Sequence, residues 1–280
     1  MDFSKFLIAS DLDGTLIDHK GAHVPRNLEA IARFTAGGGC FTLNTGRPHI
    51  TIAPTLGDPK LLFNAPCAHC NGAYLYNFQT EEFFFEELLS PEDAADLLDF
   101  VKEYGKGLHY RANAREQIRF FLPKGMPRPR AAGTEEGFVS FDMPLQDWPM
   151  DDWYKMVILG DPARMAQLRL ELERVFGDRF AQTTSSATAL EVQLPHSNKA
   201  VGLEKMRRLS PEMAARTIIA CGDFENDIPA LKAADIAICP ANALDEVKKI
   251  CDFVLCDCGE GLIADIVEGI EAGKILPKCK

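Results

Sequence analysis

The sequence predicts a doubly wound α/β domain built on a parallel sheet, with a smaller α+β domain inserted into it. Three observations predict this. Short, wholly apolar strand candidates alternate with helical patterns at both ends of the chain, as in a parallel sheet covered on both faces. The middle of the chain changes rhythm and reads as two copies of a strand, helix, strand, strand unit. A length of 280 residues suits two domains of ordinary size.

At the N-terminal end, residues 6–9 form the first apolar run, residues 25–34 a helical pattern stopped by Gly37-Gly38-Gly39, and residues 40–43 the second apolar run. The C-terminal end repeats the alternation, with strands at 217–220, 236–239 and 253–255. Helices lie at 227–233, 243–250 and 262–272.

In the middle, residues 82–86 read as a strand. Ser90 reads as an N-cap with Pro91 at the first helical position, and Ala94, Leu97, Leu98 and Val101 recur at helical spacing up to Gly105. Strand-like runs follow at 108–111 and 118–122. The second copy has a strand at 154–159 and a helix start at Asp161-Pro162. An apolar stripe of Met165, Leu168, Leu172 and Val175 runs up to Gly177, and strands follow at 179–182 and 190–194. Such units predict an antiparallel sheet with helices on one face. The parallel-sheet core is therefore expected at residues 1–84 and 189–280 and the insert at 85–188, with 123–130 as a Pro-rich, basic connector between its halves.

Composition narrows the function. With 46% hydrophobic and 25% charged residues the chain is globular, and its 30 basic against 41 acidic residues give a net charge of −11. That charge disfavours nucleic acid and anionic membrane surfaces as partners, although local cations and a metal can still draw a small phosphorylated substrate into a cleft. The start of the chain has no signal-peptide pattern, and no run approaches the ~20 apolar residues of a spanning helix, so a cytoplasmic location is expected. Nine scattered cysteines suit reduced thiols. Cys67-Ala68-His69-Cys70 and Cys256-Asp257-Cys258 bring soft ligands close together, but neither has the doubled spacing of a zinc ribbon, and buried thiols acting as small hydrophobes are the preferred reading.

Asp11-Leu12-Asp13-Gly14-Thr15 follows directly on the first strand, at the carboxyl end where an open α/β sheet binds its ligands. Alone, two Asp residues there would be turn or cap chemistry. The run resembles the first motif of the haloacid dehalogenase superfamily, and three further motifs occur in that family's order. Thr45, in Asn44-Thr45-Gly46-Arg47-Pro48, resembles the second. Lys199, in Ser197-Asn198-Lys199-Ala200, resembles the third, and Gly222-Asp223-Phe224-Glu225-Asn226-Asp227 the fourth. The Asn226 between the acids and the run Asn71-Gly72-Ala73 are similar to the Cof-like phosphatase branch. The stretch from Thr45 to Lys199 far exceeds the ~30 residues of a βαβ crossover, leaving room for a cap domain.

The resemblance implies a Rossmann-like core, an inserted cap that sets specificity, and a magnesium-dependent phosphatase working through an aspartyl-phosphate. Asp11 is then the nucleophile and Asp13 the general acid and base. Asp11, Asp223, Asp227 and the Asp13 backbone carbonyl hold Mg²⁺, Asp227 through a metal-bound water. Gly14, Thr15, Thr45, Gly46, Lys199 and Asn226 bind phosphate. A phosphoryl group in transfer spreads charge over its equatorial oxygens and needs cations and N–H donors around it, and an all-oxygen acidic cluster suits hard Mg²⁺. The substrate is expected to be a small phosphorylated metabolite: a sugar phosphate, a nucleotide or a phosphorylated cofactor. Candidate specificity residues are His109, Arg111 and Arg115 in the insert and His69 and Asn71 in the core. The alternatives are a phosphomutase of the phosphomannomutase kind and a receiver-like signalling module. Asp13 and the long insert argue against the latter. Oligomeric state is not legible.

Overall fold

The central sheet has five parallel strands, counted in chain order through the whole molecule: β1 (Phe6–Ser10), β2 (Cys40–Leu43), β12 (Thr217–Cys221), β13 (Ile236–Cys239) and β14 (Phe253–Val254). They lie in the order β14-β13-β12-β1-β2. This computed structural model describes residues 1–121, 139–140 and 147–276, so the connector expected at 123–130 lies outside the described residues. Both faces of β1 are covered, which is why its sequence runs apolar without alternating: Leu7, Ile8 and Ala9 are all buried. On one face Leu7, Ala9, Ile218, Ala220 and Ala237 pack with Leu203 and Met206 of the helix Lys199–Arg207 and with Ala230 and Leu231 of the helix Ile228–Ala233. The helix Pro25–Ala36 packs against the helix Leu262–Glu271.

A small antiparallel sheet follows β2, made of β3 (Cys67–His69), β4 (Tyr74–Asn77) and β5 (Glu82–Phe84). Here the structure corrects the sequence. The strand expected to open the insert's first repeat is β5, and it pairs with β4 through a tight turn at 78–81, in which Glu81 takes φ +61°. Period-two apolarity identifies a strand but not its partner, and the nearer partner won.

The second compact unit holds a six-stranded sheet: β6 (His109–Ala114), β7 (Ile118–Phe121), β8 (Val139–Ser140), β9 (Trp153–Leu159), β10 (Ala181–Ser186) and β11 (Ala189–Gln193), in the order β10-β11-β9-β6-β7-β8. Its helices Pro91–Tyr104 and Pro162–Phe176 start where Ser90 and Asp161 accept the backbone N–H groups of Asp93 and Arg164 at 3.0 Å each. Leu97, Leu98, Val101, Met165, Leu168 and Leu172 are buried against Tyr110, Met156, Ile158, Leu190 and Val192 of the sheet. Val175, expected on that stripe, is 42% exposed, and β10 begins at residue 181, not 179.

The boundaries also move. The first unit comprises residues 1–47, 55–86 and 198–280, and the second 48–54 and 87–197. An insert ending at 188 would cut the β10–β11 hairpin, whose strands pair from Ala181↔Gln193 to Ser186↔Ala189. Because β11 also pairs with β9, it belongs to the second unit. The eight described cysteines are free thiols, and no helix among the described residues is long and apolar enough to cross a membrane.

Candidate active site

β1 leads to β2 on one side and β12 to β13 on the other, so the connections diverge between β1 and β12. That is the point at which an open parallel sheet leaves a crevice at its carboxyl edge. Ser10 pairs with Cys221, and the Asp11 N–H donates to the Cys221 carbonyl at 2.8 Å, so the turns carrying Asp11 and Asp223 leave the sheet side by side. On the other side the Asn44 N–H donates to the Ser10 carbonyl at 2.9 Å, which sets Thr45 beside Asp11.

Lys199 opens the helix Lys199–Arg207, where the Asn198 side chain caps the N–H groups of Ala200 and Val201 and the Asn44 amide donates to the Lys199 carbonyl at 2.8 Å. Its ammonium is fully buried and donates to Asp11 Oδ1 and Asp227 Oδ1, each at 2.6 Å. Asp227 is fixed from its other side: Oδ2 accepts from the N–H groups of Asp223 and Phe224 at 3.0 and 3.1 Å. Thr15 Oγ1 donates to Asp223 Oδ1 at 2.9 Å. Gly14 is required between Asp13 and Thr15. Its φ is +73°, and a Cβ there would lie 2.7 Å from Asp223 Oδ2.

Carboxylate oxygens of Asp11, Asp223 and Asp227 lie within 4.8 Å of one another. Three acids share one ammonium, and the electrostatics register the imbalance. Burial pushes the Asp11 carboxyl well above the usual range, against the pull of Lys199, with the neighbouring acids adding to the rise. Burial and Asp227 push Asp223 up to about 6. A cluster of hard oxygens with too little positive charge of its own fits a divalent cation.

Asp13 is exposed, and Arg47 holds it in two-toothed fashion: Nε donates to Oδ2 at 2.7 Å and a terminal nitrogen to Oδ1 at 2.5 Å. Arg47 also donates to Thr55 Oγ1 at 2.7 Å. The sequence reading gave Arg47 no role. The available signal was an arginine two positions after Thr45, beside the second strand's end, where bidentate recognition of a carboxylate or phosphate favours Arg over Lys.

Thr45 is buried, its hydroxyl accepting the Arg47 N–H at 3.2 Å and its N–H donating to Ala68 O at 2.9 Å, and Gly46 follows it on the same turn. The Asn71 N–H donates to Thr45 O at 3.0 Å, and Asn226 Nδ2 donates to Asn71 Oδ1 at 3.3 Å, so these two asparagines meet. Cys70, Asn71 and Gly72 all take positive φ, at 48°, 56° and 84°. His69 is buried, stacked on Tyr74 at 5.4 Å and bonded through Nδ1 to the Arg47 carbonyl at 3.1 Å. His109, Arg111 and Arg115 belong to the second unit, not to this cluster. The first two lie on β6, with the Arg111 guanidinium 5.5 Å from the Phe120 ring centre, and Arg115 is exposed just beyond it. Sequence reasoning also passed over Asn242, whose amide donates to Gly14 O at 2.8 Å and whose Oδ1 accepts the Cys258 N–H at 2.9 Å.

The family model described as haloacid dehalogenase-like hydrolase matches residues 8–266. The chain is 26% identical over 284 residues to a pyridoxal phosphate phosphatase of Escherichia coli (strain K12), covering 93% of this chain and 97% of that one. It is 26% identical over 294 residues to a 5-amino-6-(5-phospho-D-ribitylamino)uracil phosphatase of Bacillus subtilis (strain 168), covering 95% and 98%. Among solved structures, a haloacid dehalogenase-like hydrolase from Bacteroides thetaiotaomicron shares the fold with a TM-score of 0.78 at 24% identity, over 95% of this chain and 99% of that one.

Proposed function

This chain belongs to the haloacid dehalogenase-like hydrolases, and from that premise we propose that it is a magnesium-dependent phosphatase that hydrolyses a small phosphorylated metabolite through an aspartyl-phosphate on Asp11. The observation that carries the reading is Asp11 itself: a buried carboxylate at the end of β1, gripped by Lys199 at 2.6 Å within a cluster of three acids. Asp11, Asp223, Asp227 and the Asp13 backbone carbonyl would hold Mg²⁺, which supplies positive charge against the phosphoryl oxygens and the attacking carboxylate.

The chain's own groups do the rest. Lys199 occupies Asp11 Oδ1, which leaves Oδ2 for attack on phosphorus. Asp13 gives a proton to the departing oxygen and then takes one from the water that opens the phosphoenzyme, with Arg47 aiming its carboxyl. The backbone N–H groups of Gly14, Thr15 and Gly46, the Thr45 hydroxyl and the Asn226 amide are offered to the phosphate oxygens. The phosphorylated cofactor and ribityl phosphate named for the two relatives support a metabolite substrate.

The test is hydrolysis of p-nitrophenyl phosphate and of a panel of sugar phosphates, nucleotides and phosphorylated cofactors. Turnover should vanish in excess chelator, return with Mg²⁺ and be absent in Asp11→Asn. Full activity in excess chelator would overturn the metal assignment, and an active Asp11→Asn protein would overturn the nucleophile.

A further inference from the structure

Two loops of the first unit bring together three side chains that the phosphatase chemistry does not use. His19 sits on the turn between Asp18 and Ala22, and Asp257 and Cys258 sit just before the helix Leu262–Glu271. His19 Nε2 is 3.2 Å from Asp257 Oδ1, Cys258 Sγ is 3.6 Å from His19 Nε2, and Cys258 Sγ is 3.6 Å from Asp257 Oδ1. These three separations form a nearly regular triangle.

We propose that His19, Asp257 and Cys258 form a second metal site, built for Zn²⁺ and separate from the all-oxygen cluster of Asp11, Asp223 and Asp227. The argument is geometric and chemical. A tetrahedral Zn²⁺ with bonds of about 2.0–2.3 Å to nitrogen, oxygen and sulfur sets its ligand atoms roughly 3.3–3.7 Å apart, and the observed triangle is of that size. A thiolate and an imidazole are softer donors than carboxylates and suit zinc over magnesium. The Cys258 thiol is buried while His19 is largely exposed, so a metal seated on the triangle has one side open to water for its fourth ligand.

Supporting hydrogen bonds hold each of the three ligands in place. Asp18 Oδ1 accepts the N–H groups of Lys20 and Ala22 at 2.8 Å each, which fixes the turn that presents His19. Asp257 Oδ1 accepts the Gly259 N–H at 3.0 Å, and the Cys258 N–H is taken by Asn242. Asn242 also donates to Gly14 O, so a single side chain joins this site to the turn that carries Asp13 and Thr15. The proposal does not depend on the phosphatase reading, since it would stand for this chain whatever it hydrolyses.

The experiment is titration of the full chain, metal-free and kept reduced by a phosphine, with Co²⁺ as a coloured probe and then with Zn²⁺. One equivalent of Co²⁺ should give intense visible bands of a four-coordinate ion together with a near-ultraviolet thiolate-to-cobalt band, and Zn²⁺ but not Mg²⁺ should erase both. Cobalt bound at the all-oxygen cluster cannot give the thiolate band, so Asp11→Asn should leave that band intact. Cys258→Ser should abolish it and Cys256→Ser should not. His19→Ala, at an exposed position that leaves the core untouched, should weaken Co²⁺ and Zn²⁺ binding by more than about tenfold. Absence of a thiolate band in the wild type, its survival in Cys258→Ser, or unchanged affinity in a folded His19→Ala protein would each overturn the site. The last comparison decides the matter if Cys258→Ser does not fold.

Discussion

Lys199 is the side chain on which the candidate site's charge balance turns. Its ammonium has no exposed surface and touches two carboxylates, so Lys199→Met leaves Asp11 and Asp227 buried together without a counter-charge. Breaking one side of such a buried cluster costs about 3–5 kcal/mol. Thermal melts should therefore show a large drop for the metal-free variant, with Mg²⁺ recovering part of it, and equal melting temperatures for variant and wild type would contradict this account.

Asp13 poses a different test, because the proposed mechanism asks one carboxyl to serve two steps. Asp13→Ala should lose both steps with a sugar phosphate, whose leaving oxygen needs a proton, whereas with p-nitrophenyl phosphate the first step should survive and the phenol should appear as a burst. Arg47→Ala should show the same bias more weakly, lowering kcat for alkyl phosphates roughly tenfold more than for the phenolic ester. The types of these residues were legible because each stands at the end of an apolar strand or the start of a helix. Arg47 and Asn242 were not, since their meaning lies in partners, Asp13 and the Gly14 carbonyl, that only the folded chain brings to them.

Among the elements, those whose apolar pattern is satisfied locally were the readable ones. The two long helices of the second unit begin at Ser90 and Asp161 because each cap bonds within its own first turn. Misplaced were β5, which found its partner in β4, and the end of the insert, which depends on β11 pairing with β9 across more than a helix of intervening sequence. The turn after β1 is the tightest element in the candidate site. Gly14→Ala must move Asp223 or abandon φ +73°, and a left-handed non-glycine residue alone costs about 1–3 kcal/mol. The variant should lose stability on that scale and need more Mg²⁺ for half-maximal activity. A variant with unchanged stability and Mg²⁺ requirement would show that the turn relaxes freely.

For the whole molecule, acid sensitivity follows from His49. Burial pushes its imidazole down to about 4, with Arg115 adding to the fall. An unfolded histidine titrates near 6.5, so the stability gained from keeping His49 neutral is complete above that pH and is lost as pH falls toward 4, by at most about 3 kcal/mol. The raised carboxyl of Asp223 acts with opposite sign in the metal-free protein, taking up its proton in the folded state as pH falls through about 6. Urea midpoints of His49→Gln against wild type between pH 7 and 4.5 isolate the histidine, and the variant should lose less. Parallel curves would remove His49 from the account.

The pairing of β1 has a further consequence, for the order in which a growing chain can fold. One edge of β1 is taken early by β2, but the other waits for β12, where Phe6 meets Thr217. Strands β6, β9 and β11, by contrast, find one another within residues 109–193. During synthesis the later-made unit can therefore close its sheet while the first-made strands are still half-paired, and the guest is finished before its host. Chains stalled late enough for residue 197 to have left the ribosomal tunnel should protect β6, β9 and β11 from protease while residues 1–47 are digested, and chains released at full length should protect residues 1–47 as well. In this fold β1, made before either of its partners, is among the last strands to be secured.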